Sequence, residues 1–373
     1  RDDEAARIYT SGSTGNPKMV RLSHGNIISN VEMMKKTVLI HPSDTGLSLL
    51  PLSHAMELSV GMIYPLSRGV TLVLPRVVAA SEILGAMEQE NISFMIAVPR
   101  LYRNIMQGIK KKIDNAGPLM RAYAGLIRKS PPWLKKIINK PLMKKFGGDI
   151  TIWVSGGSRL DPEILAFFRA LGFPLRQGYG LTETSPGVAF QQPDEEILDS
   201  IGKPLEGIEA RINEPDEEGN GELWIKGPNV MMGYVDEAQT AEVMEDGWFK
   251  TGDIAKINPN GSITLTGRSK RLIVTEAGKN VVPEDLEVVL ERIPRVKEAA
   301  ITEKDMRPAA ILAIEEGYDP EETAKAIIRE FNSIVSGHKQ VARYAIVDEL
   351  PKTPLGKVSL KELPELFDKH EVK

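Results

Sequence analysis

Twice in succession, an apolar run of strand length breaks off into glycines and hydroxyls, and no other feature of this chain limits its fold as much. Ile150-Thr-Ile-Trp-Val154 runs into Ser155-Gly-Gly-Ser158, and Phe173 to Gln177 delivers Gly178-Tyr-Gly-Leu-Thr-Glu-Thr-Ser185. Between them, Asp161-Pro-Glu163 caps a helix over Ile164 to Leu171. The same alternation holds upstream. Ser23-His-Gly-Asn26 leads into a helix over Ile27 to Thr37 with Ile27, Ile28, Val31 and Met34 on one face. Val38 to Leu50, Gly69 to Leu74 and Phe94 to Val98 read as buried strands, while Ser81 to Gln89 and the stretch opened by Pro99 read as helices. Strands alternating with helices imply parallel strands joined by crossover helices, an α/β fold. The glycine turns then fall at strand C-terminal ends, the edge where open parallel sheets bind ligands.

A third loop of this chemistry lies near the start, in Ile8-Tyr-Thr-Ser-Gly-Ser-Thr-Gly-Asn-Pro-Lys-Met-Val20. Thr10, Ser11, Ser13 and Thr14 supply hydroxyls, Gly12 and Gly15 let backbone N–H groups reach an anion, and Lys18 offsets charge. That is a polyphosphate grip. It differs from the Walker A loop, which has four residues between its glycines and Lys directly after the second; here two residues separate Gly12 from Gly15, and Asn16-Pro17 precede Lys18. Pro17 removes a donor and argues for a stiff loop instead of a helix start. Ile8 and Tyr9 read as the end of a strand, which needs neighbours. Because the chain opens on Arg1-Asp-Asp-Glu4, part of a larger domain is expected upstream.

From Ile201 the pattern changes to short strands with Gly, Pro and Asn turns, over Glu209 to Asn213, Gly221 to Lys226, Ala255 to Asn258 and Ser262 to Thr266. This reads as a small β-rich, barrel-like subdomain. A helix from Val282, strands over Val296 to Thr302 and Pro308 to Ile314, a long helix from Pro320 to Ile334 and a strand over Tyr344 to Val347 make a further α/β unit. The expected organisation is an α/β core over 1–200, the β-rich subdomain over 201–269 and a separate C-terminal domain over 270–373.

Composition matters mainly for what it excludes. A net charge of −4 gives no global case for nucleic acid, and with no Cys there is no disulfide framework, thiolate catalysis or Cys-based zinc site. The absence of Cys fits a cytoplasmic setting, and no apolar run is long enough to span a bilayer. The hydrolase elbow Gly-x-Ser-x-Gly is missing. Charge is unevenly spread, with thirteen Lys and Arg against the single Asp114 over residues 100–145. Apolar residues at helical spacing accompany them: Trp133, Leu134, Ile137 and Ile138, then Leu142, Met143 and Phe146. Such a stretch either makes a peripheral contact with an anionic membrane, attracts a phosphorylated substrate, or packs its apolar face on its own domain; the last is the commoner outcome.

Five motifs in order carry a family resemblance: Tyr9-Thr-Ser-Gly-Ser-Thr-Gly-Asn-Pro-Lys18, Gly178-Tyr-Gly-Leu-Thr-Glu-Thr184, Gly247-Trp-Phe-Lys-Thr-Gly-Asp253, Gly267-Arg-Ser-Lys270 and Pro354-Leu-Gly-Lys357. Together they resemble the adenylate-forming, AMP-binding superfamily of acyl-CoA synthetases, peptide-synthetase adenylation domains and luciferases. The resemblance implies a large domain, incomplete at its N-terminus here, hinged at Lys270 to a small mobile one. It also implies a reaction in two steps. A carboxylate attacks the α-phosphorus of ATP, releasing pyrophosphate, and a thiol then displaces AMP.

The implied roles fall on matching residues. Mg²⁺ is held by Glu183 with Thr10, and the loop residues from Thr10 to Gly15 with Lys18 grip phosphate. Gly156, Gly157 and Tyr179 flank adenine, with the Tyr179 ring stacked on it, Ser158, Gly178 and Gly180 also belong to the nucleotide site, and Thr182 donates to the α-phosphate. Asp253 accepts from the ribose hydroxyls and Arg268 completes those contacts. Lys357 enters the site for adenylation and leaves for the second step. Val98-Pro-Arg-Leu-Tyr102 with the basic stretch, and Pro51-Leu-Ser-His54, are similar to the long-chain fatty acyl-CoA synthetase branch. There His54 lies near the acyl carboxylate, with a helix-capping His as the alternative. Val274 departs from that pattern, since many members carry Lys there, and Lys279 is the substitute for contacting the thiol. The partners implied are a fatty or other carboxylic acid, CoA or an acyl carrier protein, and a second copy of the chain; a non-catalytic nucleotide-binding member is the rival reading.

Overall fold

The computed structural model describes residues 1–373 except 11–17, 78, 118–121, 123–124, 128–129, 277–278, 353–357 and 373, and except the side chains of 132, 133, 136 and 270. The strand expected before the phosphate loop is β1 (Glu4–Thr10), and its neighbour is β2 (Lys18–Ser23), the segment just after the loop. They run antiparallel with Thr10 opposite Lys18, so the two ends of the 11–17 stretch are held side by side. Ser23 then starts α1 (His24–Thr37) through a reciprocal cap: its hydroxyl accepts from Asn26 N at 3.0 Å, and Asn26 Oδ1 accepts from Ser23 N at 2.9 Å. Ile27, Val31 and Met34 are buried as the spacing predicts, whereas Ile28 is exposed.

The central sheet contains β3 (Thr45–Leu47), β4 (Thr71–Val73), β5 (Phe94–Ala97), β6 (Ile152–Ser155), β7 (Leu175–Gly180), β8 (Gly187–Phe190) and β9 (Lys203–Pro204), in the order β4-β3-β5-β6-β7-β8-β9. The pairings from β4 to β7 are parallel, and β8 and β9 are added antiparallel. The longer helices between these strands are α2 (Ala80–Gln89), α3 (Pro99–Asn115) and α4 (Pro162–Ala170). The Asp161 side chain caps α4, accepting from Glu163 N. Two expected strands are much shorter than their apolar runs. Val38 and Ile40 are buried by packing outside any strand, and the Tyr64 hydroxyl donates to the Val38 carbonyl. Apolar content marked their burial and said nothing about their hydrogen bonding.

Alternation along β6 divides the core. Ile152 and Val154 face one cluster with α1 and β2, while Trp153 faces the other. Trp153 is fully buried, with ring centroids of Phe173 at 5.0 Å, Phe146 and Phe168 at 5.8 Å and Tyr102 at 5.9 Å. The basic stretch supplies part of this cluster through Tyr102, Met106, Ile109, Ile127, Met143 and Phe146, so most of its apolar face packs on its own sheet; Ile137 is exposed. No helix among the described residues is long and apolar enough to cross a membrane.

The β-rich part comprises β10 (Glu209–Asn213), β11 (Gly221–Lys226), β12 (Gly233–Tyr234), β13 (Met244–Glu245), β14 (Trp248–Ile257) and β15 (Ile263–Arg268). It corrects the barrel-like expectation. The order β10-β11-β14-β13, with β15 also on β14, is an open sheet, and β12 leaves it to pair with β2. Next come β16 (Ile273–Val274), β17 (Asn280–Val281), α5 (Pro283–Glu291), β18 (Val296–Lys304), β19 (Arg307–Ile314), α6 (Pro320–Ile334), β20 (Tyr344–Val347) and α7 (Leu363–His370). The three strands β18 to β20 form one sheet, and the buried residues of its two core clusters all come from Ile273 to Phe367.

Candidate active site

The turn that leaves β7 carries side chains toward two separate polar groups. At its start, the Tyr179 hydroxyl donates to Asp253 Oδ2 at 2.5 Å. Asp253 is 3% exposed and lies opposite Arg268 in the β14/β15 ladder, with Arg268 Nε 2.8 Å from Oδ1. The Asp253 carboxylate raises the Arg268 guanidinium pKa, which therefore stays charged. Burial, and then Asp253, push the Tyr179 phenol well up, so it remains a donor. Both oxygens expected to accept from a ribose are engaged here, and a sugar must share them with Tyr179 and Arg268.

Past Leu181, the 3₁₀ turn Thr182–Thr184 presents the second group. Glu183 Oε1 accepts from the Tyr234 hydroxyl at 2.8 Å, and its carbonyl accepts from Met231 N at 2.8 Å. Lys18 Nζ sits 4.7 Å from the Tyr234 ring centroid, because β2 pairs with both β1 and β12. Burial and the Glu183 charge raise the Tyr234 phenol, keeping it protonated. Tyr234 thus links Lys18 to Glu183, a role that no spacing pattern pointed to, since its partners are far away in sequence.

The glycines serve packing as well as access. A Cβ on Gly180 would fall 1.6 Å from the Pro186 carbonyl oxygen, so only Gly permits β7 to turn there. At Gly156, whose N–H donates to the Ala97 carbonyl at 3.1 Å, a Cβ would lie 2.7 Å from Met56 Sδ. The space expected for a flat base beside Gly156 and Gly157 is therefore bounded by a thioether. Gly178 packs against the Phe190 ring, and Ser158 is exposed at the same sheet edge.

Met56 arrives on the segment that holds His54. The His54 amide donates to the Pro51 carbonyl and its carbonyl accepts from Leu58 N, both at 2.9 Å, so the residue starts a helical turn leading into a π-helix over Glu57–Ile63. Glu57, which sequence reasoning passed over, is 1% exposed and accepts from Ser48 Oγ at 2.5 Å. Its carboxyl pKa is raised, chiefly by burial. A Cβ on Gly61 would lie 2.6 Å from that carboxyl, so the helix makes room for it. Ser11, Gly12, Ser13, Thr14, Gly15 and Lys357 lie outside the described residues. Thr10 ends β1, half-buried, and the Lys270 backbone belongs to the 3₁₀ turn Ser269–Arg271.

The sequence matches the AMP-binding enzyme family over residues 1–235 and the AMP-binding enzyme C-terminal domain over 285–357. A long-chain-fatty-acid–CoA ligase of Mycobacterium bovis is 29% identical, across 98% of this chain and 68% of its own length. A chloroplastic long-chain-fatty-acid–acyl-carrier-protein ligase of Arabidopsis thaliana is 30% identical, across 93% of this chain and 57% of its own. Among solved structures, O-succinylbenzoate CoA synthetase of Bacillus subtilis in complex with AMP superposes with a TM-score of 0.77 at 27% identity, covering 97% of this chain and 69% of that one. The same enzyme with ATP and magnesium ion gives 0.76 at 26% identity, covering 97% and 70%.

Proposed function

The chain belongs to the family of AMP-binding enzymes, and on that premise we propose that it joins a fatty acid to AMP and then passes the acyl group to the thiol of CoA. One observation carries this reading: the single turn from Tyr179 to Glu183 reaches Asp253 and Arg268 at one end and Tyr234 and Lys18 at the other. A nucleotide needs that polarity. Asp253 and Arg268 take the ribose, with Tyr179 beside adenine between Gly156 and Gly157. Thr182, Lys18 and the 11–15 loop take the phosphates.

Among the described residues no three His, Cys, Asp or Glu side chains gather to hold a metal. Glu183 with Thr10 would hold a cation that completes its shell from phosphates and water, as Mg²⁺ does. When bound, it would spread charge off the phosphate oxygens as pyrophosphate leaves. In the first step a carboxylate oxygen bonds to the α-phosphorus while the bond from that phosphorus to the pyrophosphate bridging oxygen breaks. Lys18 and Lys357 oppose the repulsion between the two anions. In the second step the thiolate bonds to the acyl carbon, the carbon–oxygen bond to AMP breaks, and the thiol proton passes to solvent. His54, next to Met56 at the glycine edge, lies on the acyl side.

The fatty acid rests on the two long-chain ligases among the relatives, together with Val98 to Tyr102 and Pro51 to His54. A carrier protein as acceptor is the second reading, favoured by Val274 and by the relative that acts on one. Presenting CoA and acyl carrier protein in parallel, with palmitate and ATP·Mg²⁺, tests both by mass spectrometry. Palmitoyl-CoA is expected, palmitoyl carrier protein alone transfers the assignment, and AMP release without either thioester contradicts it.

A further inference from the structure

Glu57 is a buried carboxyl that has no part in the reaction proposed above, and the body is shaped around it. It opens the π-helix Glu57–Ile63, where the Tyr64 amide donates to the Ser59 carbonyl five residues back; the helix packs on α1 and β5. Such helices are rare and recur at functional sites. The carboxyl folds back over its own helix, so that a Cβ on Gly61 would meet its two oxygens at 2.6 and 2.8 Å. Oε1 accepts from Ser48 Oγ, and Oε2 is buried with no partner among the described residues. Burial pushes the group up, and the Ser48 bond offsets that only in part. An apolar side chain would fill this place without the penalty.

What the bond joins is informative. Ser48 directly follows β3 at the ligand edge of the parallel sheet, and its amide donates to the Val73 carbonyl of β4 at 3.0 Å. The Ser48–Glu57 bond therefore closes a loop that contains Pro51 to His54 and Met56, and Met56 Sδ bounds the space at Gly156. We propose that Glu57 is a positioning residue for the acid substrate: by holding Ser48 it sets where His54 and Met56 stand against the glycine turn after β6. This rests on the reading above, in which His54 and that turn border the acyl group. The role is indirect, exerted through the loop.

Glu57→Ala, Glu57→Gln and Ser48→Ala test this in the complete polypeptide. Glu57→Ala should raise the KM for fatty acid in ATP–pyrophosphate exchange roughly tenfold, the cost of a misplaced contact, and leave ATP affinity by calorimetry within about twofold. Glu57→Gln, whose amide oxygen still accepts from Ser48, should bring that KM back to within about threefold of the parent. Ser48→Ala removes the bond without emptying the core, so it should raise the KM even where Glu57→Ala does not fold. A readout independent of activity is the Met56 methyl resonance in protein labelled at the methionine methyls, assigned with Met56→Leu. It should shift in Ser48→Ala and Glu57→Ala and return in Glu57→Gln, while that of Met95, fully buried in the other core cluster, stays in place. An unmoved Met56 resonance in the folded variants overturns the proposal even if the parent protein shows no exchange with any acid. Matching losses of acid and ATP affinity, or failure of Glu57→Gln to restore the KM, overturn it as well.

Discussion

Asp253 and Glu298 are both carboxylates less than a tenth exposed, and each takes two side-chain donors, yet they are held in opposite ways. The donors of Asp253, Arg268 on the neighbouring strand and Tyr179 on β7, stand on strands of the same large body. Those of Glu298, Arg100 on α3 and Lys352, come from either side of a junction that carries further ion pairs, between residues whose apolar cores are separate. The proposed nucleoside end is thus fixed by contacts within one body. The C-terminal residues form an arm that meets the body through ion pairs that include the nearly buried carboxylates of Asp161 and Glu298. The proposed two-step reaction, which presents different groups in successive steps, would use this asymmetry.

The contrast fails first if the body is not the rigid partner. Trp153→Ala, which empties the aromatic cluster under β6, should destabilise the body by about 3–5 kcal/mol, read from denaturant unfolding. A loss below about 1 kcal/mol would make the body as pliable as the arm. The next largest effect concerns the arm. Lys357→Ala should slow pyrophosphate exchange by roughly 10²- to 10³-fold, the usual cost of removing one transition-state charge contact, while leaving thiolysis of supplied acyl-adenylate intact. Equal loss of both would place that lysine on the body side of the comparison.

Asp253→Asn sharpens the other half. Loss of charge-assisted hydrogen bonds should weaken ATP binding about tenfold by calorimetry, whereas Arg100→Ala should leave it within twofold. The smallest effect is a pH dependence inside the body. Glu57 has a folded pKa above its unfolded value, so the folded state binds more protons there, and stability falls as pH rises from about 4.5 through the folded pKa. Glu57→Gln removes that loss. The difference in Tm, variant minus parent, should therefore become more positive as pH rises from 5 to 8, and a flat difference would mean the carboxyl is not desolvated.

The parts legible in the sequence were those whose signals are local. Pro320 to Ile334 has a proline start and one apolar stripe, Tyr344 to Val347 is a short β-forming run, and both match the folded elements. The turns after β6 and β7 were legible because glycine and hydroxyl content is punctuation in any context. Val38 to Leu50 misled, since packing buries Val38 and Ile40 without pairing them. The strand after the loop, β2, went unseen because its register depends on β1 and on a residue pair more than two hundred positions away. Tyr234 and Met56 belong to the same class. Each matters through what it touches, and neither partner set is periodic. The open form of the β-rich sheet follows similarly from β12 leaving to join β2, a choice made by tertiary packing.

The most direct test of the whole account is exchange of labelled pyrophosphate into ATP by the complete polypeptide, across a panel of carboxylic acids with Mg²⁺ present. Label should appear in ATP when a fatty acid is supplied and stay at background without one. Protein that binds ATP and unfolds cooperatively, yet exchanges no label with any acid, would contradict the claim that this turn, these cations and this lysine activate a carboxylate.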